Sequence, residues 1–138
     1  MSLFNIFDVA GSGMSAQSVR LNTTASNIAN ADAVTSSADT TYKARQPVFE
    51  AAMERASAHQ AGSPVKIAGI VESDKPLVQE FNPNHPLADG NGYIYKPNVN
   101  VVEEMANMIS ASRSYQANVQ VATAAKDLAK ATLRMGEG

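Results

Sequence analysis

All six prolines of this 138-residue chain, Pro47, Pro64, Pro76, Pro83, Pro86 and Pro97, fall between positions 47 and 97. Inside a helix, proline removes a backbone hydrogen bond and clashes with the preceding turn, at a cost of about 3 kcal/mol. The two ends are therefore free to form long helices and the middle is not. The expected fold is mainly α with a small β-rich insert.

The first helix is expected over about residues 6–30, with Asn5 as its cap and Asp8 near the positive end of its dipole. Leu3, Phe7, Ala10, Met14, Gln17, Leu21, Thr24 and Ile28 recur at alternating steps of four and three, a heptad-like seam. Gly11 and Gly13 each weaken such a helix by roughly 1 kcal/mol relative to alanine, so another backbone is expected to approach there. The second helix is expected to begin near Val101, because Asn100 and Glu103 have the spacing of a capping box. Lys126, Lys130 and Arg134 suit its closing turns and Gly136 its end. At 1.5 Å per residue this is a rod of roughly 50 Å, too long for the rest of so small a chain to wrap. Its apolar residues fall on two lines, Val101, Met105, Met108, Tyr115, Val119 and Ala122, and Ala117, Val121, Ala124, Leu128, Ala131 and Met135. Two lines imply more than one partner surface.

Between the helices, PVKIAGIVES and YIYK carry the β-branched and aromatic content of strands, whereas ADAVTSSADTTYKARQ and FNPNHPLADGNG read as loop and turn.

Composition removes several functions. A net charge of −2, a pI near 5.6 and no basic cluster argue against nucleic-acid binding. The absence of cysteine excludes disulfides and thiolate metal sites. The leading MSLFNIFDVA lacks the basic segment and continuous apolar run of a secretory signal, so export is expected to take another route. GSG at 11–13 and GNG at 90–92 lack the remaining glycine and Lys-Ser/Thr of phosphate loops. His59 and His85 stand alone, without the convergent ligands a metal requires. Adjacent Glu103 and Glu104 point about 100° apart on a helix, where capping explains them better than paired acid–base work. Asn22-Thr23-Thr24 is a formal glycosylation sequon, but inside the expected helix. Ser112 and Ser114 beside Arg113 have no histidine partner nearby in the sequence. No catalytic, cofactor or metal residue is assigned. What remains is a pair of weakly charged helices rich in small side chains, which a monomer would leave as large apolar patches. Such helices find their burial in neighbouring copies.

LNTTASNIANADAV, where the first helix ends, resembles the N-terminal motif of bacterial flagellar rod, hook and filament axial proteins. NGYIYKPNVNVVEEMANMISASRSYQANV is similar to the C-terminal signature of the small proximal-rod members of that family, and NIFDVAGSGMSAQSVRLN and IAGIVES agree with those members. Together these motifs cover more than half the chain. One departure is that ADAVTSSADTTYKARQ inserts small polar residues before Tyr42-Lys43 where larger relatives turn directly.

The resemblance implies a discontinuous helical domain of residues 1–33 and 98–138, its two helices paired as a coiled coil, with residues 34–97 as an outer insert. It implies no enzyme activity and no cofactor, but a structural subunit of the proximal rod, the periplasmic drive shaft of the basal body, surrounding the export channel. The implied partners are other copies of the chain, other proximal and distal rod proteins, an adaptor between membrane ring and export gate at the rod base, and the type III export apparatus. Leu21, Ile28, Met105, Ile109, Tyr115, Val119 and Leu128 are the candidate assembly residues. A soluble helical export chaperone would use the same adhesive helices, but would form a discrete complex in place of an open assembly.

Overall fold

The computed structural model describes residues 3–52 and 62–136, so His59 lies outside the described residues. The elements run α1 (Leu3–Asn30), β1 (Arg45–Ala51), β2 (Val65–Glu72), β3 (Val78–Phe81), β4 (Tyr93–Lys96) and α2 (Val101–Gly136), with a 3-10 turn at Ala38–Thr40. The strands form two antiparallel pairs, β1 with β2 and β3 with β4. The two long helices and the two strands read from the sequence are present. β1 and β3 are additional: Pro47 lies within β1, tolerated because this strand has a neighbour on one side only.

α1 and α2 pack antiparallel along most of α1. Arg20 Nη2 donates to Asn107 Oδ1 at 3.0 Å, and two turns toward the start of α1, Gly13 faces Asn118. A Cβ placed on Gly13 would lie 2.7 Å from Asn118 Nδ2, so the close approach expected of the glycine pair occurs at Gly13; Gly11 has open space around it. The seam on α2 is Glu104, Met108, Ala111, Asn118, Ala122, Ala125 and Ala129, at steps of four, three and seven. Apart from Met108 these are small or polar side chains, and the alanines let the helix axes come close. Neither apolar line read from the sequence is this seam: Met108 and Ala122 lie on it, whereas Val101, Met105, Tyr115 and Val119 are exposed. The partner of α2 within the chain is met by the small face, and the large face is left outside.

This geometry gives a direct test. Gly11→Ala should stabilise the chain by about 0.5–1 kcal/mol through helix propensity alone. Gly13→Ala should fall short of that by about 1 kcal/mol or more, because the Asn118 amide must swing away. Urea titration of the two variants beside the parent measures the difference, and equal effects would mean the helices are not this close.

The first helix starts earlier than expected. Asn5 lies inside α1, whose described residues begin at Leu3, and so is not at the cap position; nothing in LFNI opposes a helix, and the entry shifts upstream. Asp8 is correspondingly beyond the first turn, which holds no acid. At the start of α2, Asn100 Oδ1 accepts from the backbone N–H of Val102 at 3.1 Å and of Glu103 at 3.2 Å. Glu103 itself pairs with Lys75 at 3.6 Å.

The insert has its own small core around Ile94, 2% exposed. Phe81 and Tyr93 meet edge to face, 5.1 Å between centroids, across the β3–β4 turn. Gly92 takes φ +82° there, and a Cβ would come within 3.0 Å of the Phe81 ring, so both backbone and packing require glycine.

Candidate assembly surface

Two asparagines, one from each terminal motif, hold the insert on the helical pair. Asn27, 1% exposed on the last turns of α1, donates through Nδ2 to the Arg45 carbonyl at 2.8 Å. Its Oδ1 accepts from the Arg45 N–H at 2.9 Å and from the Tyr42 hydroxyl at 2.8 Å. From the approach to α2, Asn98 Oδ1 accepts from the Ala44 N–H at 2.7 Å, and its Nδ2 donates to the carbonyls of Ser73 and Lys75. The first residues of β1 are thus gripped by side-chain amides from both sides. An amide suits this position because it offers a donor and an acceptor in one plane, and so mimics a strand partner at Arg45, on the edge of β1 away from β2.

The loop with the inserted small residues is fastened too. Thr35 and Tyr95 exchange both backbone hydrogen bonds at 3.0 Å. The Thr41 hydroxyl donates to the Ser37 carbonyl at 2.7 Å. Sequence reasoning singled out neither these threonines nor Asn27 and Asn98, although the paired Asn-containing motifs were in view.

The concave sites do not organise chemistry. A cavity of about 600 Å³ between α1 and the β1–β2 pair is lined by Val19, Asn22, Thr23, Ser26, Arg45, Ile70 and Glu72. Among the described residues no group of three or more His, Cys, Asp or Glu could hold a metal. His85 Nδ1 accepts from the Leu87 N–H at 3.1 Å within its own turn. Asn22 lies within α1. Among the described residues no helix is long and apolar enough to cross a membrane.

The unusual feature is α2. Of its 36 residues only Glu104, Ala111 and Ala125 are buried, so one narrow seam accounts for its packing and the rest is surface. That surface carries Val102, Met105, Ile109, Val121, Leu128, Leu133 and Met135, all exposed, with Ile109 at 57% and Leu128 at 58%. Ala117, Val121, Ala124, Leu128, Ala131 and Met135, the second line read from the sequence, is exposed at every position. Of the candidate assembly residues, Met105, Ile109, Tyr115, Val119 and Leu128 are exposed on α2, whereas Leu21 and Ile28 are half-buried on α1. Exposed apolar residues along more than one line of a long helix have the chemistry of an interface and not of an active site.

Residues 7–35 match the flagella basal body rod protein family, and residues 91–135 match the C-terminal family of flagellar basal body rod FlgEFG proteins. The two matches fall on α1 with its exit and on β4 with α2. Over 137 residues the chain is 50% identical to the flagellar basal-body rod protein FlgC of Salmonella typhimurium, covering 99% of this chain and all of that protein. This chain belongs to the FlgC family of flagellar basal-body rod proteins. The Yersinia enterocolitica member is 51% identical over the same length, and that of Buchnera aphidicola from Acyrthosiphon pisum 43% over 139 residues. Family membership makes the chain a structural subunit of the flagellar rod, not an enzyme, and the chaperone reading has no support.

Proposed function

We propose that the chain is a segment of the proximal rod, the part of the drive shaft within the periplasm, and that it transmits torque by helical packing around the export channel. The observation that carries this reading is the exposed apolar surface of α2, outside its seam with α1. A monomer leaves that face in water; a helical stack of heterologous contacts covers it in every subunit. In this reading residues 1–33 and 98–138 form the inner helical domain and residues 34–97 lie outside it. Met105, Ile109, Tyr115, Val119 and Leu128 meet neighbouring subunits, while Leu21 and Ile28 brace the pair from the α1 side. The neighbours are further copies and other rod proteins, with an adaptor at the rod base. The chain reaches them through the flagellar type III export apparatus.

Basal bodies extracted from a strain lacking this chain should show rings without rod or hook, restored on complementation, with swimming lost and regained in parallel. Intact rods and normal swimming in that strain would remove the proposal.

A further inference from the structure

The β1–β2 pair lies along α1 and makes no comparable contact with α2. Two hydrogen-bonded points hold it, at diagonal corners of the small sheet. Asn27 grips the Arg45 backbone at the start of β1, and Ser12 Oγ accepts from the Val65 N–H at the start of β2, at 3.0 Å. The stretch of α1 from Ser12 to Asn27 and a strand of seven residues both measure roughly 22 Å. A line through the two points therefore runs along α1, with β1 overhanging it on one side and β2 on the other.

A cavity lies under each overhang. The one of about 600 Å³ opens between α1 and β2, against Val19, Ile70 and Glu72. The second, of about 400 Å³, opens between β1 and α2, with Gln46 and Phe49 on one wall and Arg20, Glu104 and Asn107 on the others. Arg45 lines both. On the β2 side its Nη2 lies 3.4 Å from Glu72 Oε1, and both side chains are about half exposed, so water screens the pair. On the α2 side Glu104 is 5% exposed and takes part in no side-chain hydrogen bond or ion pair among the described residues, a costly condition for a carboxylate. Arg20, the other cation on that cavity, is occupied by Asn107. Arg45 is the cation carried by the element that has room to move.

We propose that the β1–β2 pair rocks on α1 between two positions, and that Arg45 is the catch that holds it in each. In the open position Arg45 meets Glu72 and both cavities are present. Tipping β1 toward α2 closes the smaller cavity, turns the Arg45 guanidinium from Glu72 to Glu104, and lifts Ile70 away from Val19. The Arg45 backbone stays where Asn27 holds it, and only the side chain crosses. On closing, the buried carboxylate gains a cation, but the guanidinium leaves water and the exposed pair is given up, so neither position outweighs the other by much. The movement belongs to the single chain and does not rest on the rod reading. Within a rod it gives the outer insert two set angles, so that one sequence fits neighbours that are not identical.

The chain has no cysteine, so nitroxide labels can be placed on Val48→Cys in β1 and Ala106→Cys in α2, both exposed and neither lining the two cavities. Pulsed dipolar EPR of the full-length labelled chain should resolve two distances. E104Q should remove the shorter one, because the closed position loses its anion. E72Q should raise the ratio of shorter to longer about threefold, the scale on which an exposed ion pair acts. Opposite shifts from two acid-to-amide changes are what a merely structural role for either carboxylate does not produce. Glu72 is exposed, so E72Q leaves the fold intact and decides the matter by itself if E104Q does not fold. A single distance that E72Q leaves unmoved, or a shift in the same direction by both substitutions, would overturn the rocking pair. The rod reading is tested separately, by the rods of the strain without the chain.

Discussion

Asn27→Ala should lower the stability of the folded chain by about 3 kcal/mol, a large fraction of what a domain of this size possesses. The estimate follows from what the amide leaves behind. The Arg45 N–H and carbonyl and the Tyr42 hydroxyl all lose a partner at a site where Asn27 itself is 1% exposed. Each group left without a partner costs about 1–3 kcal/mol, and partial entry of water brings the sum toward the lower end. The loss should be local in origin: hydrogen exchange should rise first at residues 45–51 and 65–72, while the α1–α2 seam keeps its protection until global unfolding. Asn27→Asp retains the acceptor for Arg45 N–H and Tyr42 but loses the donor to the Arg45 carbonyl, so it should lie between the two. Asn98→Ala, which frees the Ala44 N–H from the other side, should expose the same strand. Chemical denaturation showing a change under about 0.5 kcal/mol for Asn27→Ala would mean that the insert is held by something other than this clasp.

The clasp bears on function because a shaft transmits torque only as well as its parts hold their angles. Helical pair and insert touch through α1 against β1 and β2, a contact of modest extent that would slide if nothing fixed its register. Three directed hydrogen bonds from Asn27 and three from Asn98 fix it at one point, where the chain leaves the loop and enters β1. The polar loop between α1 and β1 is itself tied to β4 by the Thr35–Tyr95 pair. The start of β1, the end of β2 and β4 are therefore fixed to the helices.

Much of this was legible in the sequence, and the parts that were not have a common cause. Proline placement, Asn100 before Val101 and the β-branched runs located both helices, β2 and β4, since these signals are local. β1 escaped notice because Pro47 argues against a strand until the one-sided pairing is known, and β3 because four residues beside FNPN carry little pattern. The harder feature was the direction in which α2 faces. Periodicity reasoning assigns large apolar side chains to the interior, but where the pair packs as closely as Gly13 on Asn118 the seam of α2 is Asn118, Ala122 and Ala125, with Met108 its one large apolar residue. The large side chains are then displaced to the outside. That arrangement is unfavourable for an isolated chain and reasonable for one whose interior is completed by its neighbours, so the pattern can be interpreted only with the assembly in mind.

Ile109→Asp and Leu128→Asp should therefore separate folding from assembly. Both positions are more than half exposed on α2, so each substitution should change the stability of the free chain by about 0.5 kcal/mol or less, as surface changes do. On the proposed packing each side chain is buried in the rod, which contributes about 1.5–3 kcal/mol, and a carboxylate in its place carries a desolvation cost of its own. The defect recurs in every subunit, so a moderate loss per contact is multiplied along the shaft. Swimming should be lost and basal bodies should lack rods, while circular dichroism and the urea midpoint of the purified chain remain those of the parent. Leu21→Asp is the instructive contrast: Leu21 is half-buried on α1, and its replacement should damage both the free chain and the rod, so it cannot tell the two apart. If Ile109→Asp and Leu128→Asp swim normally, the outer face of α2 is not where subunits meet. If they unfold the free chain, that face is packed in the monomer, and the inside-out arrangement of the helix pair is wrong.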